Sequence, residues 1–154
     1  MGSELERAFP RLAQEGYEIT SPRDHSYNCI AWAAGDTTRW WWPTDQSYWP
    51  PGLASRETVE AFVELFRGMG YERCDDTSLE AGWEKIAIYA REGNRPTHAA
   101  RQLPDGTWTS KLGRDVDITH GSLEALHSGV YGDPVVIMRR RRGSAIPSPQ
   151  GRPS

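Results

Sequence analysis

The sequence predicts an α+β domain in which helices come first and pack on a small antiparallel sheet. Apolar residues recur at helical spacing in SRETVEAFVELFRGMG, residues 55–70, which indicates an amphipathic helix with Ser55 as its N-cap. The pattern then changes to shorter runs that are typical of strands, namely WEKIAIYAR, THAARQL, TWTSKLG and VVIMRR, with a small helix, SLEALHSG, before the last,. Helices followed along the chain by strands are the arrangement of α+β domains.

The elements predicted before this helix are short. Residues 3–15 predict one or two helical turns interrupted by Pro10, and YEIT, residues 17–20, predicts an extended segment. A helix is then predicted to begin at Cys29. Gly35 is placed to end it, because glycine readily adopts the left-handed conformation on which helices commonly stop.

The turn sequence LPDGT predicts a hairpin between THAARQL and TWTSKLG. Pro104 and Asp105 suit the central positions of a type I turn, and Gly106 suits the left-handed residue that follows. This loop fixes the pairing of the two strands, and the alternation of side chains then places one set of residues on the same face. That set is His98, Ala100, Gln102, Trp108, Ser110 and Leu112. Ser110 is therefore predicted to lie diagonally opposite His98.

Length and charge predict one folded domain with a tail. A chain of 154 residues is long enough to bury a core without disulfide or metal staples,, and we expect a single domain over residues 1–138. Residues 139–154 begin with four arginines and continue as GSAIPSPQGRPS, a composition typical of a disordered tail,. The formal net charge of -3 argues against nucleic-acid binding through the folded domain,.

The sequence carries no predicted export or membrane signal. Its first residues, MGSELERAFPRL, are acidic where a signal peptide needs a basic region followed by an apolar one,. No run approaches the roughly 20 apolar residues of a membrane-spanning helix. We therefore expect a cytoplasmic protein that does not associate with membranes and whose two cysteines stay reduced.

Cys29 and His98 form the candidate catalytic pair. A cysteine attacks as the thiolate, and a helix N-terminus or an adjacent imidazolium lowers the thiol pKa from its free value of about 8.5. We expect His98 to deprotonate Cys29, whose thiolate attacks a carbonyl while backbone N–H groups hold the oxyanion. Ser110, Asp115 or Asp117 would orient His98. This reaction needs no cofactor and no metal, and the competing interpretation is that Cys29 is a small apolar core residue.

The order of a helix-borne Cys, a strand-borne His and a polar residue on the next strand is that of papain-like cysteine hydrolases. YNCIAWAAGD, WWWP, WEKIAIYA, THAARQLPDGTWTSKLG and DITH resemble a family of small uncharacterised bacterial proteins. At the level of fold, the NCIAWA segment and the His98 hairpin are similar to papain-like domains of the NlpC and CHAP type, amidohydrolases that cut peptidoglycan stem peptides. The resemblance implies a papain-like hydrolase or acyl transferase acting on a peptide, isopeptide, other amide or ester, with Cys29, His98 and Ser110 in the catalytic places.

A second set of residues is predicted to bind the substrate. These residues are Asn28, Trp40, Trp41, Trp42, Trp108 and Lys111. Asn28 is placed either to donate to the oxyanion or to cap the helix. The segment WWWPTDQSYWPPG, residues 40–52, holds four Trp, which either cover the core or line a groove for a peptide,. Lys111 could bind an anionic ligand.

Two other functions fit the same residues. A zinc site could use Cys29 with His25, His98 or His120, although no C-x-x-C pair supports it,. A catalytically inactive papain-like binding or immunity module, with the Trp-rich segment as its partner surface, is the alternative to an enzyme, because a fold can outlive its activity.

Overall fold

The computed structural model describes residues 6–21, 26–44, 47–91, 94–112, 116–126 and 131–142. Its helices include α1 (Pro10–Glu15), α2 (Cys29–Ala34) and α3 (Val59–Arg67), with a 3-10 helix at Leu123–Leu126. Its strands are β1 (Tyr17–Ser21), β2 (Glu72–Cys74), β3 (Trp83–Arg91), β4 (Arg95–Gln102), β5 (Trp108–Lys111), β6 (Asp117–His120) and β7 (Asp133–Arg141). None of the helices in these ranges is long and apolar enough to span a membrane.

The seven described strands form one sheet in the order β1-β6-β5-β4-β3-β7-β2. Every neighbouring pair is antiparallel. The α+β class predicted from the sequence is confirmed at this level, since α2 and α3 come from the first half of the chain and pack on this sheet.

Each face of the sheet carries its own hydrophobic core. On one face, which we call the helix face, α2 and α3 pack on the central strands, and the core includes Cys29 and Ala99. On the opposite face, which we call the N-terminal face, α1 and the 3-10 helix contribute to a second core that includes Tyr89 and Ala100. Successive side chains of a strand alternate between faces. The position of a residue along its strand therefore decides which core it enters.

Side-chain caps define the starts of α2 and α3. Asn28 is the N-cap of α2, and Gly35 ends that helix with a φ of 88°, as predicted. Thr58 caps α3 by accepting a hydrogen bond from the backbone N–H of Ala61. The prediction that Ser55 caps this helix was wrong. The helix begins at Val59, so the hydroxyl of Thr58, not that of Ser55, reaches its first turn,.

The hairpin between β4 and β5 has the predicted turn and register. The N–H of Leu103 donates to the carbonyl of Thr107 at 2.7 Å. Gly106 has a φ of 93°, the left-handed conformation that the turn requires,. Gln102 lies opposite Trp108, which is the pairing that a three-residue loop imposes.

Strand β7 runs past the predicted end of the domain at residue 138. It continues through Arg141, and the sequence after Arg142 lies outside the described residues. The guanidinium carbons of Arg139 and Arg141 lie 4.1 and 4.9 Å from the centroid of the Trp83 ring on β3. The first arginines of the predicted tail are therefore strand residues with aromatic partners.

Candidate functional site

Cys29 is the first residue of α2 and lies in the core of the helix face. The residue is 6% exposed. Burial raises the pKa of the Cys29 thiol to about 11, although backbone N–H groups of Ala99 and Ile30 and the charge of Lys111 act in the opposite direction,. Cys29 is therefore a buried and protonated thiol at neutral pH.

His98 is fully buried on the N-terminal face. Its ring stacks on Tyr131 with the two centroids 4.2 Å apart, and it meets the ring of Tyr89, its cross-strand neighbour on β3, at 5.2 Å. Burial, reinforced by the nearby His120, holds the pKa of His98 well below its usual value. The imidazole is therefore neutral at physiological pH.

The structure does not bring Cys29 and His98 together. His98 and Ala99 are consecutive residues of β4, so their side chains point to opposite faces of the sheet,. Ala99 belongs to the core that contains Cys29, whereas His98 packs on Tyr89 in the other core. The backbone of the sheet separates the two side chains, and His98 cannot accept the thiol proton across it.

The structure does bring His98 and Ser110 together, as the hairpin register predicts. Nε2 of His98 lies 3.0 Å from Oγ of Ser110, and the same oxygen lies 2.8 Å from Nε2 of His120. Nδ1 of His120 lies 2.8 Å from the carbonyl oxygen of Ser122. These side chains form a buried chain, which we call the His–Ser–His relay. Sequence reasoning missed His120 in this role because DITH was not assigned to a strand.

The direction of each hydrogen bond in the relay follows from the carbonyl at its end. A carbonyl only accepts, so Nδ1 of His120 carries the proton and Nε2 of the neutral ring accepts from the Ser110 hydroxyl,. The Ser110 oxygen then accepts from Nε2–H of His98. Nδ1 of His98 is left with a buried lone pair, for which the described residues supply no hydrogen-bond partner.

Lys111, Tyr27 and Asp117 form a polar cluster on the helix face, and the charge of Lys111 acts on the Cys29 thiol. Nζ of Lys111 lies 5.1 Å from the centroid of the Tyr27 ring, and the Tyr27 hydroxyl donates to Oδ2 of Asp117 at 2.6 Å. Lys111 is fully buried, and it lies directly opposite Asp117 in the register of β5 and β6. Asp117 therefore lies on the face opposite to His98, and Asp115, the other proposed orienting residue, lies outside the described residues.

Asn28 has a structural role that accounts for most of its hydrogen-bonding capacity. Its Oδ1 accepts from the backbone N–H of Ala31 and from that of Trp41, both at 3.1 Å. Its Nδ2 donates to the carbonyl of Trp41 at 2.9 Å. The side chain therefore caps α2 and joins it to the Trp-rich segment. It is not directed at an oxyanion beside Cys29.

The Trp-rich segment mainly covers the helix-face core. Trp41 is fully buried, whereas Trp40 and Trp42 are half-buried. Trp42 packs edge-on against Phe62 of α3 at 5.2 Å between centroids, and its indole N–H donates to Glu57. Of the predicted substrate-binding tryptophans, only Trp40 and Trp42 keep exposed surface, because Trp108 is buried in the core of the N-terminal face.

Asp36 anchors this segment. Its carboxylate accepts from the backbone and hydroxyl of Thr38, from Nε of Arg39 and from the indole N–H of Trp41 at 2.6 to 3.0 Å. Burial alone would raise the pKa of Asp36, but these four hydrogen bonds lower it to about 2,. Sequence reasoning assigned no role to this residue.

The described residues contain no group of three His, Cys, Asp or Glu side chains that could hold a metal ion. Of the ligands considered for zinc, His98 and His120 lie on the face opposite to Cys29. His25 lies outside the described residues.

The fold and these side chains define a single-sheet α+β protein whose helix-borne cysteine and strand-borne histidine occupy separate cores. Residues 18–139 match the family described as a domain of unknown function (DUF7689), and the chain belongs to that family. No curated protein and no solved structure matches it.

Proposed function

We propose that the chain is a papain-like domain that acts as a non-catalytic binding module, with a peptide segment of another protein as its ligand. The observation that carries this proposal is the separation of Cys29 and His98 by the sheet. The finer fold assignment rests on α2, whose first residue is a cysteine and which packs on the central strands β4 and β5.

The protonation states of the two residues favour binding over catalysis. Burial raises the pKa of the Cys29 thiol to about 11, so the side chain is protonated at neutral pH,. Catalytic cysteines have a thiol pKa well below the free value because an imidazolium or a helix N-terminus stabilises the thiolate. His98 is neutral and lies in the other core, so it supplies no such charge.

The surface proposed for the peptide lies where the Trp-rich segment meets α3. A hollow of about 270 Å³ is lined there by Gly52, Leu53, Ala54, Arg56, Thr58, Glu60, Ala61 and Glu64. Trp42 and Trp49 both pack on Phe62, and their indole N–H groups bond to Glu57 and Ala54. Rings that are already fixed in place lose little side-chain entropy when a ligand binds.

Competitive alkylation tests the non-catalytic assignment. The native chain is treated with iodoacetamide at neutral pH, and the modification of Cys29 and of the half-buried Cys74 is followed by mass spectrometry. We expect Cys74 to react first and Cys29 to react only when the chain unfolds. Variants Cys29→Ala and Cys74→Ser identify the two products. Modification of Cys29 ahead of Cys74 in the native chain would favour the cysteine hydrolase.

A further inference from the structure

Arg101 of β4 is half-buried, and no described residue provides a counter-ion for its charge. Among the described residues, none forms an ion pair or a hydrogen bond with its guanidinium. The group lies over the ring of Trp32, with the guanidinium carbon 4.9 Å from the ring centroid. The carboxylates of Glu84 and Asp117 act on the guanidinium through their charge, without a hydrogen bond or an ion pair to it.

The other half-buried arginines show that this arrangement is exceptional. Arg139 and Arg140 are also half-buried, and each pairs with a carboxylate: Arg139 with Glu80 at 2.8 Å, and Arg140 with Glu84. Arg140 also donates to the carbonyl of Met69 at 2.9 Å. Removing a charged group from water without a partner costs free energy. The partial burial of Arg101 carries this free-energy cost, and an anion bound to the guanidinium would offset it.

The surroundings of Arg101 hold it in one orientation. Trp32 covers the guanidinium, an attraction between the cation and the π-system. The indole N–H of Trp32 donates to Oγ1 of Thr109 at 3.1 Å, and Thr109 lies directly opposite Arg101 on β5. The ring is therefore fixed relative to the guanidinium. The N–H groups along the edge of the planar Arg101 guanidinium are not covered by the Trp32 ring, and a ligand can accept hydrogen bonds from them.

We propose that Arg101 and Trp32 form a carboxylate-binding site on the helix face, in which the guanidinium binds both oxygens and the indole supports the substituent. A single planar guanidinium matches the two oxygens of a carboxylate. The negative charges of Glu84 and Asp117 in the neighbourhood favour a singly charged anion over a phosphate dianion. The inference is independent of the proposed function, since neither Cys29 nor the hollow beside α3 enters it.

Titration with sodium benzoate tests the site. The full chain is isotope-labelled, and the indole N–H resonance of Trp32 is followed by NMR. We expect a saturable shift with benzoate and none with benzamide, which has the same ring without the charge. Inorganic phosphate is expected to bind at least about tenfold more weakly than benzoate. A peptide with a free C-terminus, compared with the same peptide amidated, shows whether a chain terminus also satisfies the site.

Two substitutions of Arg101 and one matched control locate the binding. Arg101→Gln should weaken benzoate binding at least about tenfold. Arg101→Lys keeps the charge but loses the planar pair of donors, so it should also weaken binding. Arg95→Gln removes the same charge from an exposed position on the same strand and should leave binding unchanged.

Three results would overturn the inference. They are the absence of a saturable shift, an equal response to benzamide, and equal losses in Arg101→Gln and Arg95→Gln. If Arg101→Gln does not fold, the folded Arg101→Lys variant decides, and binding as tight as that of the parent would reject the site. Reactivity of Cys29 would overturn the proposed function while leaving these results unaffected.

Discussion

At the scale of single residues, the His–Ser–His relay restricts which protonation states the core of the N-terminal face can hold. His98 and Ser110 are fully buried and His120 is 2% exposed, and the carbonyl of Ser122 fixes the direction of each hydrogen bond. A protonated His98 or His120 would place a positive charge in an apolar core. The relay therefore accommodates two neutral imidazoles and no additional proton.

This constraint predicts how stability depends on pH. Burial lowers the pKa of both His98 and His120, whereas an unfolded chain protonates its histidines near pH 6.5. The unfolded state therefore binds more protons as the pH falls below about 6.5, and the native state loses stability. Between about pH 6 and 5 we expect His98 to lower the free energy of unfolding by up to about 1.4 kcal/mol per pH unit, and His120 to act in the same direction.

Urea unfolding at several pH values in this window measures the effect. His98→Gln cannot be protonated, so the variant should show a smaller slope than the parent, even if it is less stable overall. A variant slope equal to that of the parent would show that His98 does not remain neutral in the native state.

The hairpin register shows which residue contacts the sequence could predict. The LPDGT turn fixes the pairing of β4 with β5, and that pairing places His98 beside Ser110. Local turn chemistry was sufficient here because both residues lie on adjacent strands. The predicted contact between Cys29 and His98 is not formed. It would require α2 to cover the face of β4 that carries His98, and no local sequence signal determines which face a helix covers.

At the scale of elements, the side chain of Asn28 links the start of α2 to the Trp-rich segment. A helix of six residues is marginal on its own. Asn28 caps it by accepting from the N–H of Ala31 and connects it to Trp41 of the Trp-rich segment through two further hydrogen bonds. The start of α3 is simpler, since Thr58 makes one capping hydrogen bond to Ala61. A comparison of the two caps measures what the two hydrogen bonds between Asn28 and Trp41 contribute to stability.

We expect Asn28→Ala to lower the free energy of unfolding by about 3 kcal/mol, because it removes the cap and leaves the buried N–H and C=O of Trp41 without their partner. Thr58→Ala should cost about 1 kcal/mol, the typical value for one lost cap. Urea denaturation of both variants gives the comparison. Equal losses would mean that Asn28 acts only as a helix cap.

Strong local signals predicted the longer elements, whereas the short strands β2 and β6 escaped prediction. The periodicity of α3 and the apolar runs of β3 and β7 are visible in the sequence. Strands β2 and β6 have three and four residues, too few to display an alternating pattern. The predicted helix at residues 122–129 is a 3-10 helix at Leu123–Leu126, and residues 127–130 lie outside the described residues.

At the scale of the whole molecule, the sheet divides the chemistry predicted from the sequence between two cores. The helix face holds Cys29 and Lys111, and the N-terminal face holds His98 and Ser110. The basic residues of β7 are likewise used within the fold, since Arg139 pairs with Glu80 and stacks on Trp83. The division of the sheet therefore separates Cys29 from His98, and the contacts of Arg139 stabilise the fold.

The pKa of the Cys29 thiol tests the central claim most directly. It can be followed through the Cβ chemical shift of isotope-labelled Cys29, which requires no reagent to enter the core. The measurement uses the Cys74→Ser chain with and without His98→Ala. We predict a pKa of about 11 that does not change when His98 is removed. A pKa below the free value of about 8.5 that rises in the His98→Ala variant would contradict the separation of the two residues and favour a catalytic pair.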